Sequence, residues 1–497
     1  MSLGVPMEGA QRPSGYKEMA MAAAAVSNEL HAREVAEALN EVKFTGFHLR
    51  AIITAGMGFF TSAYDLTVIG TAVVLANMEW HASPLMIGLV TSISLAATVL
   101  GAFVFGTIAD RIGRKSVYGI EAVLMTIGAV GSAFAAGPIS MIVWRAIMGF
   151  GIGGDYPLSA VIMSEYANRE NRGKMVGMVF SCQALGFLAG PVVLLTMLAA
   201  GVSHDLCWRI ALGLGAIPAA AVILLRRTMP ESPRWLARAK GHGAKAAKDL
   251  AWYSEGTVMA AGADRKIREP LSKYVLALIG TAGAWFVLDY AYYGNTICMP
   301  LLLNHLIPAH THNAMLISTA WNVIIFGLFA VPGYVCAFMF CDKLGRKFVQ
   351  MLGFAMMGLL FLLMGVVPGL SSAVAPFLIL FGLSYFFIEF GPNVTTFILA
   401  AELFPVNRRA TGHGISAGVA KAGAFLGVFL FPIIQNSLGT NGILVFSGGM
   451  AVAGLILTAV CIKEPAGKSL EEAGRESGWE PMNRKLPLGG MPVGAGV

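Results

Sequence analysis

Four carboxylates and one lysine fall inside stretches of this chain that are otherwise apolar enough to cross a membrane: Asp65, Asp155, Asp289 and Glu389 against Lys421. Arg145 lies nearer the outer end of its stretch. Ionisable groups at such depth are costly and face a cavity or a partner, so each marks a functional position. Asp155 sits in G-I-G-G-D-Y-P-L-S-A (151–160), ten residues after Arg145 and ten before Glu165. The flanking charges are then about 30 Å apart along a helix, the depth of a bilayer's hydrocarbon core, and Asp155 falls near the midplane. Asp65, in F-F-T-S-A-Y-D-L, falls at a similar depth. Carboxylates gathered around one cavity favour proton uptake by one another, which is the physical logic of proton coupling.

The stretch A-W-F-V-L-D-Y-A-Y-Y-G (284–294) places Trp285, Asp289 and Tyr293 at i, i+4 and i+8, on one helical face. An indole N–H and a phenol O–H suit an oxyanion, and the acid between them joins as a donor only when protonated. Gln183 lies inward in its own apolar segment, as interhelical glue or as part of a site. Glu389 and Asn393 are one turn apart. Lys421 is too deep to reach water along its own stem and needs an anion or a carboxylate beside it. If the cargo is an anion, carboxylates must be neutralised before it enters, and net inward movement of positive charge lets the membrane potential drive uptake.

The elements that must hold these groups are transmembrane helices. The chain is 56% hydrophobic and 13% charged over 497 residues, too apolar for soluble domains. Apolar runs of roughly 20 residues recur about twelve times between 50 and 463, which predicts an all-α polytopic bundle. Basic residues cluster after alternate runs: Arg111, Arg114 and Lys115; Arg169, Arg172 and Lys174; the stretch from Arg226 to Lys273; Lys343, Arg346 and Lys347; Arg408 and Arg409. The intervening loops 77–84 and 304–313 contain no Lys or Arg. Both termini and the central loop are therefore expected in the cytoplasm. The net charge of +7 follows this topology and forms no nucleic-acid patch. The six cysteines have neither disulfide nor metal spacing, and the first apolar run is expected to direct insertion itself. The expected organisation is a cytoplasmic segment 1–46, a six-helix bundle 47–227, a central loop 228–272, a second bundle 273–463 and a disordered tail 464–497.

The loop G-T-I-A-D-R-I-G-R-K (106–115) can latch helix ends through Asp110 and the arginines after it. It resembles motif A of the major facilitator superfamily. An internal repeat agrees: D-K-L-G-R-K (342–347) echoes Asp110 to Lys115, T-A-G at 281–283 echoes 54–56, and Glu402 with Arg409 keeps the spacing of Glu165 with Arg172. The second copy has Phe338 where the first has Gly106, a departure that bears on its latching role. The resemblance implies a twelve-helix fold of two pseudo-twofold-related halves. Its candidate gating residues are Gly106, Asp110, Arg111, Gly113, Arg114, Arg145, Glu165, Arg172, Asp342, Arg346, Glu402 and Arg409.

G-G-D-Y-P-L-S-A (153–160), S-E-Y-A-N-R (164–169), W-F-V-L-D (285–289), F-G-P-N-V-T-T-F (390–397), E-L-F-P (402–405) and T-G-H-G-I-S-A-G-V-A-K-A-G-A (411–424) are similar to the phosphate:proton symporter branch. That resemblance implies a phosphate site of Tyr156, Gln183, Trp285, Asp289, Tyr293 and Asn393. It implies protonation at Asp65 and Asp155, with Lys421 near the substrate path. Asp289 and Glu389 complete the candidate coupling set. Ser62 stands where the branch has an acid, and Glu389 is a carboxylate foreign to it. The implied partners are inorganic phosphate, protons and the bilayer, with a monomeric transport unit in the cell membrane, no cofactor and no enzymatic activity. The rival readings are a sugar or organic-acid porter, motivated by P-E-S-P-R-W-L (230–236), and a non-transporting nutrient receptor.

Overall fold

The computed structural model describes residues 35–254, 266–297, 299, 320–477 and 479. Most of the N-terminal segment, part of the central loop, Cys298, the expected outer loop at 304–313 and the far tail lie outside these.

Among the described residues there are twelve helices long and apolar enough to cross a membrane, and no strand. We number them α1 Gly46–Trp80, α2 Pro84–Ile112, α3 Arg114–Ala133, α4 Pro138–Tyr166, α5 Arg172–Ala199, α6 His204–Thr228, α7 Leu271–Ile297, α8 Ala320–Leu344, α9 Arg346–Val366, α10 Val374–Glu402, α11 Arg409–Phe431 and α12 Ile433–Cys461. The last two form one run that breaks at Gly439, where φ is +68°. Each helix exists because its backbone polar groups can be satisfied only internally in lipid. Small residues let the bundles close: a Cβ on Gly153 of α4 would come within 2.8 Å of the Gly101 Cα on α2.

One end of the bundle carries nearly all the loop cations, and we call it the basic face. Two related latches join the halves there. In the first, Asp110 accepts from the backbone N–H of Ala410 and Thr411 at the start of α11, at 3.3 and 2.7 Å. Arg114 pairs with Asp110 at 3.1 Å and Glu165 at 3.0 Å, and Arg409 reaches the same Glu165 at 3.0 Å. In the second, Asp342 accepts from Gly173 and Lys174 at the start of α5, at 3.1 and 2.7 Å. Arg346 pairs with Asp342 at 2.5 Å and Glu402 at 3.2 Å, and Arg172 pairs with Glu402 at 2.7 Å. Each acid sits on a helix N-terminus, where exposed N–H groups and the helix dipole favour it. The second copy thus latches as the first does despite Phe338, which packs on Gly177 of α5.

Two expectations are corrected here. Arg111 is exposed and donates to neither latch; only its carbonyl is used, by Lys240. The tail expected to be disordered from 464 is ordered through 477: it forms the helix Leu470–Ala473 and docks by ion pairs. Arg234 pairs with Glu471, and Glu476 pairs with Arg238 at 2.9 Å and Arg409 at 3.4 Å. Charges supplied by the tertiary fold order a segment too short and polar to order itself.

Candidate substrate site between the halves

At the centre, α7 contributes Trp285, Asp289 and Tyr293 on one face, as their spacing requires. Lys421 of α11 donates to Asp289 Oδ2 at 2.8 Å and to the Tyr293 hydroxyl at 2.9 Å. Its ammonium also lies 4.3 Å from the Tyr293 ring centre and 4.7 Å from that of Tyr156. Tyr156 comes from α4 in the other half and stands 6.0 Å from Trp285, ring to ring. All five side chains are buried. The cluster therefore spans the interface between the halves, and its one cation is held by one carboxylate and two aromatic faces. The indole N–H of Trp285 lies beside the Asp289 carboxylate, and Nε2 of Gln183 has no hydrogen-bond partner, so donor capacity is left over at this depth.

Asn393 and Glu389 lie on α10 at a break. Residues 389–393 form a π segment in which Gly391 has non-helical angles and Pro392 donates no backbone bond. The break turns both side chains inward: the Asn393 amide donates to Glu389 and, at 2.8 Å, to the Tyr334 hydroxyl of α8. Tyr334 in turn neighbours Tyr293 and Tyr156, which joins this pair to the central cluster. Glu389 is fully buried, with the Tyr334 and Tyr292 hydroxyls beside it as well as Asn393.

The carboxylates do not surround one cavity, as the sequence suggested. Asp65 of α1 is ion-paired with Arg145 of α4, within one half. That pair sets Arg145 inside the bundle, away from both latches. Asp155 is bound by Arg226 at 2.7 Å and by the Ser159 hydroxyl at 2.7 Å, and Arg226 also binds Glu121 at 2.6 Å while lying over the Tyr118 ring. Asp155 and its neighbour Tyr156 therefore face different surroundings. In the sequence Arg226 reads as a loop charge and Glu121 gives no separate signal, because each lies within a few residues of the end of its apolar run, where a charge looks like a topological anchor. Tyr334 carried no signal. His413, two turns before Lys421 on α11, is buried edge-on to Trp285 at 5.6 Å, with the Phe397 backbone beside its ring.

The motif P-E-S-P-R-W-L also finds its place. Glu231 accepts from the backbone N–H of Arg114 and Lys115, at 3.1 and 3.2 Å. Its counterpart Glu464 accepts from Arg346 and Lys347, both at 2.9 Å. Gly113 and Gly345, at φ +109° and +91°, make the turns that expose those amides, and a side chain there would strike the capping carboxylate. Arg234 reaches the Glu165 carbonyl at 3.1 Å. The whole motif serves the basic face, not the centre.

Residues 50–476 match the family described as Sugar (and other) transporter. The chain belongs to this transporter family. It is 35% identical to a probable inorganic phosphate transporter (1-6) of Arabidopsis thaliana, over 91% of this chain and 98% of the relative. It is 37% identical to a putative inorganic phosphate transporter (1-13) of Oryza sativa subsp. japonica, over 88% and 93% respectively. Its fold matches the proton:xylose symporter XylE of the major facilitator superfamily with a TM-score of 0.74, at 20% identity, over 86% of this chain and 98% of that one. The twelve-helix bundle of two related halves is thus a major facilitator fold, and the chain is a multi-pass membrane transporter rather than an enzyme.

Proposed function

We propose that this transporter takes up inorganic phosphate with protons by alternating access, with its basic face in the cytoplasm. The observation that carries the reading is the Lys421–Asp289–Tyr293 cluster facing Tyr156 across the interface between the halves. In this arrangement Asp289 occupies the ammonium that a phosphate oxygen would use. Protonation of Asp289 releases Lys421, and the freed ammonium, the Tyr hydroxyls, the indole N–H of Trp285 and the unpartnered amide of Gln183 can then receive the anion. Loss of the proton on the other side restores the ion pair and displaces the cargo. Phosphate and proton are coupled because Asp289 and the anion compete for one cation. The pairs Asp65–Arg145 and Asp155–Arg226 are further places where a proton can exchange against an arginine.

Both latches are closed here, so the basic face is shut, and rocking of the halves must break them to release cargo. The similarity to relatives named phosphate transporters supports phosphate as cargo. The sugar-porter reading loses its motive, because P-E-S-P-R-W-L acts on helix termini at the basic face and touches no substrate group. Uptake of radiolabelled phosphate by proteoliposomes, challenged with unlabelled phosphate, glucose or an aromatic acid, tests the cargo. Only unlabelled phosphate should compete, and strong competition by either organic solute would overturn the assignment.

A further inference from the structure

A cavity of about 360 Å³ opens at the basic face between α7, α12 and the docked tail, apart from the central cluster and beside the second latch, whose Arg346 N–H donates to the lining Glu464. Leu276 and Ala277 line it from the first turns of α7, and Cys461 from the end of α12. The helix surfaces beside it face hydrocarbon: Leu276 is 53% exposed and Val460 71%. Lys273, Lys463, Lys468 and Arg475 also line it, against Glu464 and Glu472. Glu464 accepts from the amides of Arg346, Lys347 and Ala466, and Lys273 pairs with Glu269 at 3.1 Å. With Lys273 offset by Glu269, and Glu464 still charged because the amides it accepts from are neutral, Lys463, Lys468 and Arg475 face Glu464 and Glu472: three cations to two carboxylates, above an apolar wall.

Arg475 is held there against its own backbone preference. Its φ of +47° is unusual for a residue with a side chain, and the Tyr274 hydroxyl pins it by donating to its carbonyl at 3.2 Å. A surplus of cations next to hydrocarbon, at the level where a helix leaves the membrane, matches a phosphodiester headgroup with its acyl chains still in the bilayer.

We infer that this cavity binds the headgroup of an anionic phospholipid in the leaflet at the basic face, and that the bound lipid holds the tail docked. The consequence follows from what the tail carries. Glu476 ties Arg238 of the central loop to Arg409 of the second half, and the Lys468 carbonyl accepts from Arg172 of the first half at 3.1 Å, so the docked tail spans the two halves. A lipid that touches α7, α12 and Lys468 or Arg475 together gains those contacts only while the tail is docked. It therefore shifts the population toward the state closed at this face. This inference does not depend on which solute is carried.

The test uses the full-length protein, stripped of lipid in neutral detergent and titrated with phosphatidylglycerol or with phosphatidylcholine of the same chains, with adducts counted by native mass spectrometry. Wild type should retain phosphatidylglycerol preferentially. Lys463→Gln should weaken retention about fivefold and Lys463→Gln/Lys468→Gln about 25-fold. Arg475→Gln provides a second, independent variant should the pair fail to purify as a monodisperse species, and it should also lose affinity about fivefold. Equal retention of the two lipids by wild type, or unchanged retention of phosphatidylglycerol by the variants, would overturn the proposal. Displacement of the adduct by millimolar inorganic phosphate would assign the cations to a free anion and overturn it as well.

Discussion

Lys421 and Asp289 form the one ion pair of the central cluster, and each is costly without the other. Asp289→Asn leaves a buried ammonium with neutral acceptors and two aromatic faces but no counter-charge, and should destabilise the protein by roughly 3 kcal/mol. Adding Lys421→Gln should recover most of that stability in thermal unfolding while phosphate uptake stays lost, since the cation is then gone from the site. A double variant no more stable than Asp289→Asn would show that the pair is not coupled. Glu389 differs in kind: the groups beside it, Asn393, Tyr334 and Tyr292, are neutral, and no cation is paired with it among the described residues. A permanently neutral amide in its place removes any penalty for losing a proton. Glu389→Gln should therefore keep phosphate uptake active further into the alkaline range, and an unmoved pH profile would make Glu389 a passive wall. Trp285, Asp289 and Tyr293 were legible in the sequence because the helical period alone puts them on one face. Lys421 was legible as a residue in need of a partner, but not which partner, because that depends on how α7 and α11 pack. Arg226 was misread as a loop charge because its side chain runs back into the bundle to Asp155.

The latches act through helix ends. Asp110 and Asp342 each hold two backbone N–H groups of a helix in the opposite half, interactions worth about 1–2 kcal/mol apiece. Asp342→Asn should thus shift the equilibrium toward the state open at the basic face by about tenfold. Cys341, buried beside this latch, reports the shift. With the other cysteines replaced, its labelling by a membrane-impermeant thiol reagent should speed up about tenfold in Asp342→Asn and by a similar factor in Asp110→Asn. A response to Asp110→Asn alone would show the second latch to be ornamental despite its geometry. The helices themselves were legible, because length and apolarity suffice to specify a span. The π segment in α10 was not: Gly391 backs onto Gly353 of α9, and that close approach is a property of the packed pair rather than of either stretch.

The molecule's two halves are tied at one end by the latches and by a tail that crosses between them. Burial pushes the Glu471 carboxyl up, but the charges of Arg234 and Arg238 outweigh this and hold it below its ordinary value. A carboxyl held low in the docked state contributes stability that is full above its undocked pKa, near 4.5, and is lost as pH falls through the docked value. A spin label at position 472, introduced as Glu472→Cys in a cysteine-free background, should accordingly stay immobile at neutral pH and become mobile only on acidification below about 4.5. Mobility unchanged by acid would remove Glu471 from the docking. The twofold repeat of latches was foreshadowed by the echo of motif A. The docking of the tail was not, because Arg234 and Arg238, which hold it, lie more than 200 residues away in sequence. What the whole assembly is held to do is let protons and phosphate compete for Lys421 while only one end of the bundle is open. The most direct test is phosphate accumulation by proteoliposomes under an imposed inward proton gradient, with and without a protonophore, in wild type and Asp289→Asn. Accumulation above equilibrium in wild type, abolished by the protonophore and by Asp289→Asn, is the predicted result; accumulation that ignores the gradient, or that survives Asp289→Asn intact, would contradict it.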